Sequence, residues 1–312
     1  MTSSTSNVLT PDLTPSHSIT SSPSLPPTPD SRHLDIVIAH YNESLAWLSS
    51  HSNLASVYSK GKPPPDPSLY RETQALPNWG RESHTYLYHI VHNYDSLADV
   101  TLFLQGNIHD ANDGTPAHTD LTLDEIVGMA KRLTDLPNLT ACEDVQAQKE
   151  TQGRVLPLGK VHTFSDWAGI KYLPSWVERR GKGLHLSKYT PEQFFNYLIN
   201  GTADKTDARW TTPPNEIRWT QGALFAATRH AIQRRSREVY VRAYEYFHGL
   251  EDVNPEEGHY MERFWLCLLG AHNSVQQASP GSHIGKVKGS VGDGGSDNHG
   301  EVEEKGIFVL EA

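Results

Sequence analysis

Leu76-Pro-Asn-Trp-Gly-Arg-Glu-Ser-His-Thr-Tyr-Leu-Tyr-His-Ile-Val-His-Asn-Tyr-Asp-Ser-Leu-Ala-Asp-Val-Thr-Leu-Phe-Leu-Gln-Gly106 reads as a helix running into a strand. Leu87, Ile90, Val91 and Tyr94 recur at three- and four-residue spacing, which predicts a helix over 81–93 with one apolar stripe. Residues 100–104 form an apolar run of strand length that stops at the polar pair Gln105-Gly106. A helix interior gains little from histidines and tyrosines, and a polar strand tip in an α/β sheet is where ligands bind. The segment therefore marks a site as well as a fold.

Upstream, residues 34–39 are apolar and β-branched and predict a buried strand ending at His40-Tyr41-Asn42-Glu43. A helix is expected through Leu45, Trp47 and Leu48, then a short strand at 55–58 and a proline-bound loop at 62–67. Strand–helix–strand–helix–strand implies parallel pairing, so the expected fold is a three-layer, mostly parallel, Rossmann-like α/β sheet. Downstream, Thr122 and Glu125 form a capping-box pattern for a helix over 123–133. Thr190-Pro191 starts another helix. Residues 222–228 fit a strand or a helix start equally. Helices follow over 237–248 and over 258–269, the last apolar nearly all round and stopped by Gly270.

Two-thirds of residues 1–30 are Ser, Thr or Pro, and 271–312 is mostly Gly, Ser and charge. Such tails cannot bury enough apolar surface to offset their ordering entropy, which leaves one domain over 31–270 between disordered ends. No apolar run suits a membrane span or a secretory signal, and the only cysteines, Cys142 and Cys267, imply no disulfide framework. The expected compartment is the cytoplasm. Net charge is −10, which disfavours DNA and general nucleic-acid attraction, but Arg229, Arg234, Arg235, Arg237 and Arg242 cluster against Glu238 alone.

Several groups carry chemistry. Tyr41-Asn42-Glu43 offers a phenol, an amide and a carboxylate at a strand tip, although Asn and Glu also serve as helix-start residues. Arg81-Glu82-Ser83-His84 combines an anion fork with groups that exchange protons near neutrality, and would equally suit a plain helix start. His89 and His92 lack a third metal ligand at a recognisable spacing. Gln105-Gly106-Asn107 stands where a nucleotide-sugar enzyme carries Asp-x-Asp; His109, Asp110 and Asp113 either replace it or no metal is used. His259 and Glu262 lie three apart at the start of a buried helix, so they are either functional or paired with an arginine such as Arg263. The arginine cluster suits RNA phosphate, or is an ordinary solvated face.

The run Asp35-Ile-Val-Ile-Ala-x-Tyr41-Asn42-Glu43-x-Leu-x-Trp47-Leu48 resembles a large fungal family known as a domain of unknown function. So do Leu76-Pro-Asn-x-Gly80-Arg81-Glu82-x-His84-Thr85-Tyr86-Leu, Asp99-x-Thr-x-Phe-Leu-Gln105-Gly106 and Gly258-His259-x-x-Glu262-Arg263-x-Trp265. That family is similar in layout to GT-A glycosyltransferases, and it includes arginine-containing cyclodipeptide synthases. The resemblance implies an acyltransferase of secondary metabolism that makes a cyclo-arginyl-Xaa diketopiperazine from arginyl-tRNA and a second aminoacyl-tRNA, with no cofactor and no metal. On that reading Glu43, Glu82 and Glu262 are the active carboxylates and His84 and His259 the proton carriers. Tyr41, Asn42, Arg81 and Gln105 contact substrate, and Arg229, Arg234, Arg235 and Arg237 hold RNA phosphate. The alternatives are a GT-A-like glycosyltransferase using a nucleotide sugar, and a non-catalytic RNA-binding or small-molecule-binding protein.

Overall fold

The computed structural model describes residues 33–110, 117–135, 153–172, 177–178, 185–270, 275–277 and 308–311. The apolar run at 34–39 is strand β1 (Leu34–His40), flanked by β2 (Ala55–Ser59) and β4 (Val100–Gln105), both parallel to it. A polar strand that periodicity did not predict, β3 (Glu72–Ala75), adds in parallel outside β2. The expected helix near Leu45 is a 3-10 helix over Ala46–Leu54. Helix α1 (Arg81–Asn93) links β3 to β4, the right length for a parallel crossover.

Past β4 the pairing changes direction. Helix α2 (Leu123–Asp135) leads towards β5 (Arg154–Pro157), and β6 (Val161–Phe164) forms a separate antiparallel pair with β7 (Ile217–Thr220). Between them lies α3 (Pro191–Asn200), with the Thr190 capping box in place. Residues 225–228 are a strand, β8 (Phe225–Thr228), antiparallel to both β4 and β5. Helices α4 (Arg229–Gln233), α5 (Arg237–Leu250) and α6 (Glu256–Leu268) complete the domain. In the stretch expected to be an unstructured tail, β9 (Val275–Gln277) and β10 (Phe308–Glu311) pair at the β5 edge. The sheet order is β3-β2-β1-β4-β8-β5-β10-β9. Among the described residues no helix is long and apolar enough to cross a membrane.

Alternation along the strands fills two cores. Val37, Phe103 and Phe225 face α1, α3, α5 and α6, whereas Ile36, Leu102, Leu104 and Ala226 face α2 and the 3-10 helix. Helix α6 is buried along its whole length because α1, α3 and β7 pack around it. The arginines near α5 hold helix ends. Arg235 Nε donates to Leu268 O at the end of α6 (2.9 Å), Arg237 donates twice to Val91 O near the end of α1 (3.2 and 3.0 Å), and Arg242 donates to Leu198 O near the end of α3. Each places a cation where the helix dipole is negative. Arg235→Ala is expected to lower stability by roughly 1–2 kcal/mol, a fall in Tm of about 3–6 °C by differential scanning calorimetry.

Candidate functional site

Parallel pairing brings the C-terminal ends of β1 to β4 to one edge of the sheet, and the chain departs from β1 in opposite directions to β2 and β4. Such a switch point opens a crevice. His40 closes β1 with Nδ1 2.6 Å from Ser59 Oγ and Nε2 3.1 Å from Glu43 O. Tyr41-Asn42-Glu43 forms a latch beside it. The Glu43 carboxylate accepts the backbone N–H of Tyr41 (2.7 Å) and Asn42 (3.1 Å), and Asn42 Oδ1 accepts Lys62 N–H (3.0 Å). Gly106 is needed opposite, since a Cβ there would come within 2.5 Å of Glu43 Oε2. Glu43 and Asn42 thus shape the loop, and Tyr41 beside them is 49% exposed.

The charged centre lies where α1 and α6 meet. Gly80 and Arg81 are consecutive left-handed residues (φ +58° and +54°), and so are Gly222 and Ala223 (φ +73° and +53°). Strain of this kind persists only where surroundings enforce it. The first pair turns the chain into α1 so that Glu82 points inward; the second aims the Gly222 N–H at Glu262 Oε1, 2.8 Å away. Gln105 Nε2 donates to Gly222 O (2.8 Å), which ties the β4 tip to the same turn. Arg263 Nη1 pairs with Glu262 Oε2 at 2.5 Å and stacks over Trp219, 4.1 Å from its ring centre. Arg81 spans both carboxyls, 3.6 Å from Glu82 Oε2 and 3.9 Å from Glu262 Oε2.

The two carboxyls behave oppositely. Burial pushes Glu82 above the usual carboxylate range, with Glu262 adding to the rise and Arg81 opposing it. Burial acts on Glu262 too, but Arg263 and Arg81 outweigh it and hold that group below its ordinary range. Lys60, just past β2, donates from Nζ to Trp79 O (2.5 Å) and Arg81 O. Burial lowers its amine to about 7, against the opposing pull of Glu82. The buried Tyr86 hydroxyl, pushed well up by burial and then by both carboxylates, has no hydrogen-bond partner among the described residues.

The structure brings Arg81, Glu82, Gln105 and Glu262 into this one centre, with His84 and His259 at its flanks. His84 stacks on Tyr244 with neither ring nitrogen hydrogen-bonded, and burial, then Lys60 and His248, lower it to about 3. His259 lies against Tyr172 and is lowered to about 2 by burial, then Arg263 and Arg81. Burial thus disfavours the charged form of both rings. Arg229, Arg234, Arg235 and Arg237 are not brought to this edge. They follow β8, whose end pairs with the start of β4, so they lie at the opposite edge. Arg229 there pairs with Asp99 (2.9 Å) and Arg234 is exposed.

His89 bonds Tyr58 (2.9 Å) and faces Asp35 (3.6 Å), while His92 Nδ1 lies 2.8 Å from Tyr88 O, so the two serve separate local contacts. His109 Nε2 sits 2.9 Å from Leu121 O, and Asp113 lies outside the described residues. Sequence reasoning missed Lys60 and Gly222. The Lys60-Gly61 pair ending the second strand was the one available signal.

A family profile described as "Protein of unknown function (DUF3431)" matches residues 36–136. The match takes in β1 to β4 with Lys60, Arg81, Glu82 and Gln105, and stops short of Glu262 and Arg263. No curated protein and no solved structure matches the chain.

The opposite directions of the two carboxyls predict opposite mutational costs. Glu262→Gln leaves Arg263 uncompensated and is expected to cost roughly 3–5 kcal/mol. Glu82, whose charged form burial disfavours, is expected to lose less stability as Gln than Glu262 does. A carboxyl raised in the folded state loses stability as pH rises through its folded pKa. Glu82→Gln should therefore flatten that decline, which urea denaturation between pH 4 and 9 will read.

Proposed function

We propose that this chain is an aminoacyl-tRNA-dependent acyltransferase, a cyclodipeptide synthase that joins arginine to a second amino acid in the cytoplasm. The substrate class comes from the family resemblance. The observation that carries the chemistry is Lys60: an amine lowered to about 7, with two carbonyl acceptors, beside an easily protonated carboxyl. A neutral amine has two N–H bonds and one lone pair. The carbonyls of Trp79 and Arg81 take the two N–H groups, which leaves the lone pair to accept a proton.

Peptide-bond formation from two aminoacyl esters needs such a base. The α-ammonium of one aminoacyl group gives a proton to Lys60 and attacks the other ester carbonyl. The C–N bond forms, the C–O bond to ribose breaks, and the departing ribose oxygen takes up a proton. A second attack, by the remaining α-amine on the remaining ester, closes the ring. Glu82 suits the arginyl guanidinium. Burial raises its pKa, and an arriving cation supplies the charge that favours ionisation. Arg81 and Arg263 keep Glu262 ionised and fixed, so Glu82 is the carboxyl left to respond.

Purified protein given arginyl-tRNA and a mixture of other charged tRNAs should yield arginine-containing diketopiperazines by mass spectrometry. Turnover of a nucleotide sugar with no diketopiperazine would replace this reading by glycosyl transfer. Binding of RNA or a small molecule without turnover would replace it by the non-catalytic one. Since the active base is the neutral amine, kcat should rise with pH through about 7. Lys60→Met should lower kcat by roughly 100-fold or more and remove that limb.

A further inference from the structure

Helix α1 carries more imidazole and phenol than a helix interior rewards, and the chemistry above leaves most of these rings unused. Leu87, Ile90 and Val91 of α1 and Tyr240, Ala243 and Phe247 of α5 already supply buried apolar surface where the two helices meet. On the solvent side of that contact a row of rings follows the seam. His92 stacks on Tyr88 with centroids 4.0 Å apart, and Tyr244 of α5 lies 6.1 Å from Tyr88 and 6.0 Å from His92. His248 continues the row, 5.9 Å from Tyr244 and 4.9 Å from Trp79. His92 and His248 are exposed, and Trp79, Tyr88 and Tyr244 are half-buried. Buried His84 backs the row, stacked on Tyr244 at 5.1 Å.

The row has a direction. Helices α1 and α5 run antiparallel: Arg237 at the start of α5 donates to Val91 O near the end of α1, and a Cβ on Gly80, just before α1, would come within 2.7 Å of Phe247. One end of the row is therefore Trp79 with His248, and Trp79 O accepts the Lys60 amine. The other end is His92, and the arginine segment stands beside it. Tyr94, just past α1, accepts Gln233 Nε2 at its carbonyl (2.8 Å) and donates its hydroxyl to Arg235 O (2.5 Å), with exposed Arg234 between those two residues. Arg237 is exposed as well, and spends two of its five donors on Val91 O. At about 1.5 Å per residue, the 13 residues of α1 set the two ends about 20 Å apart.

Such a row suits the faces of nucleobases. Unpaired bases stack on tryptophan, tyrosine and histidine rings, and the affinity comes from ring contact more than from charge. The five rings bring no lysine or arginine with them, and Glu72 acts on Tyr88, so phosphate is not what the row attracts. Phosphate suits Arg234 and Arg237 at the far end. An RNA with unpaired last nucleotides and a reactive ester on its terminal ribose matches this order of chemistry: cations first, rings next, the Lys60 amine last.

We propose that the α1–α5 seam is the docking surface for the unpaired 3′ end of the charged tRNA, its bases stacked along Trp79, Tyr88, His92, Tyr244 and His248 and the preceding phosphates on Arg234 and Arg237. The proposal rests on the acyl-transfer reading and deepens it. Arginines at the edge opposite the strand tips and a base at the tips then belong to one track, and the strand ends with its aminoacyl ester beside Lys60 and Glu82.

The test uses the full chain and two probes, uncharged tRNA and the same tRNA trimmed of its unpaired 3′ nucleotides. His92→Ala/His248→Ala removes both exposed rings and should keep the wild-type Tm. It should weaken binding of intact tRNA by roughly 5-fold or more, with the salt dependence unchanged. His92→Tyr/His248→Tyr keeps a ring at each place and should bind as the wild type does. Arg234→Ala should instead lower the slope of log K against log salt by about 0.7. Intact tRNA bound no better by the wild type than by the alanine variant would overturn the proposal, as would equal affinity of the wild type for intact and trimmed tRNA. Tyrosine variants that bind as poorly as the alanine ones would overturn stacking. Binding needs no turnover, so the two readings fail separately. Ring-dependent binding without any diketopiperazine would end the acyl-transfer reading and leave the surface standing. Diketopiperazine made by the alanine variant at the wild-type kcat/KM would end the surface and leave the reading standing.

Discussion

The hydrogen bond from Gly222 N–H to Glu262 Oε1 is the contact on which the site depends. It joins a tight turn at the mouth of β8 to the middle of a fully buried helix, and it needs a left-handed glycine to do so. A carboxylate there would be too costly alone, and Arg263 and Arg81 make it tolerable. Once Arg81 is drawn to Glu262 it also lies beside Glu82, and the crowding leaves Glu82 as the group whose charge is least supported. One buried anion therefore fixes the turn, orients two arginines and adds to the rise that burial imposes on its neighbour's carboxyl.

The same logic separates charge that builds from charge that acts. Arg235, Arg237 and Arg242 look alike in sequence to a phosphate-binding cluster, yet each donates to a carbonyl near a helix C-terminus. A guanidinium has five donors in a fixed fork, so one bond to a carbonyl does not exhaust it. Placement decides instead: these side chains serve the edge opposite the strand tips. Any contact of RNA with the strand-tip edge has to come from other groups, among which the exposed Tyr41 ring and the Lys60–Lys62 segment are the nearest in the chain.

Much of the fold was legible because its signals are local. The apolar runs of β1 and β4 and the stripe of α1 give period and length directly, and their order gives parallel pairing. β3 was not legible: Glu72-Thr-Gln-Ala75 has no apolar alternation and becomes a strand only by pairing with β2. β8 was ambiguous because so short a run carries no period, and its place is set by antiparallel pairing with β4 and β5. In the site, Glu82 and Glu262 stood out as acids inside apolar helices. Lys60 and Gly222 did not, because their roles come from backbone geometry that brings distant segments together. The local Glu43 latch shows the converse: a carboxylate at a strand tip, conspicuous in sequence, is occupied by the two backbone N–H groups just before it.

That contrast says something about where reactivity can reside on this edge. Glu43 is satisfied by its own loop, and Glu262 by Gly222 and Arg263, so both are fixed anions. Glu82 has Arg81 at 3.6 Å, a Ser83 hydroxyl at 3.5 Å and a backbone N–H, and among the described residues Lys60 has carbonyls that accept its N–H groups but no carboxylate bonded to its nitrogen. A buried carboxyl whose charged form burial disfavours and a buried amine lowered to about 7 are groups whose charge responds to what lies beside them. A cation there favours ionised Glu82 and neutral Lys60, and an anion favours the reverse.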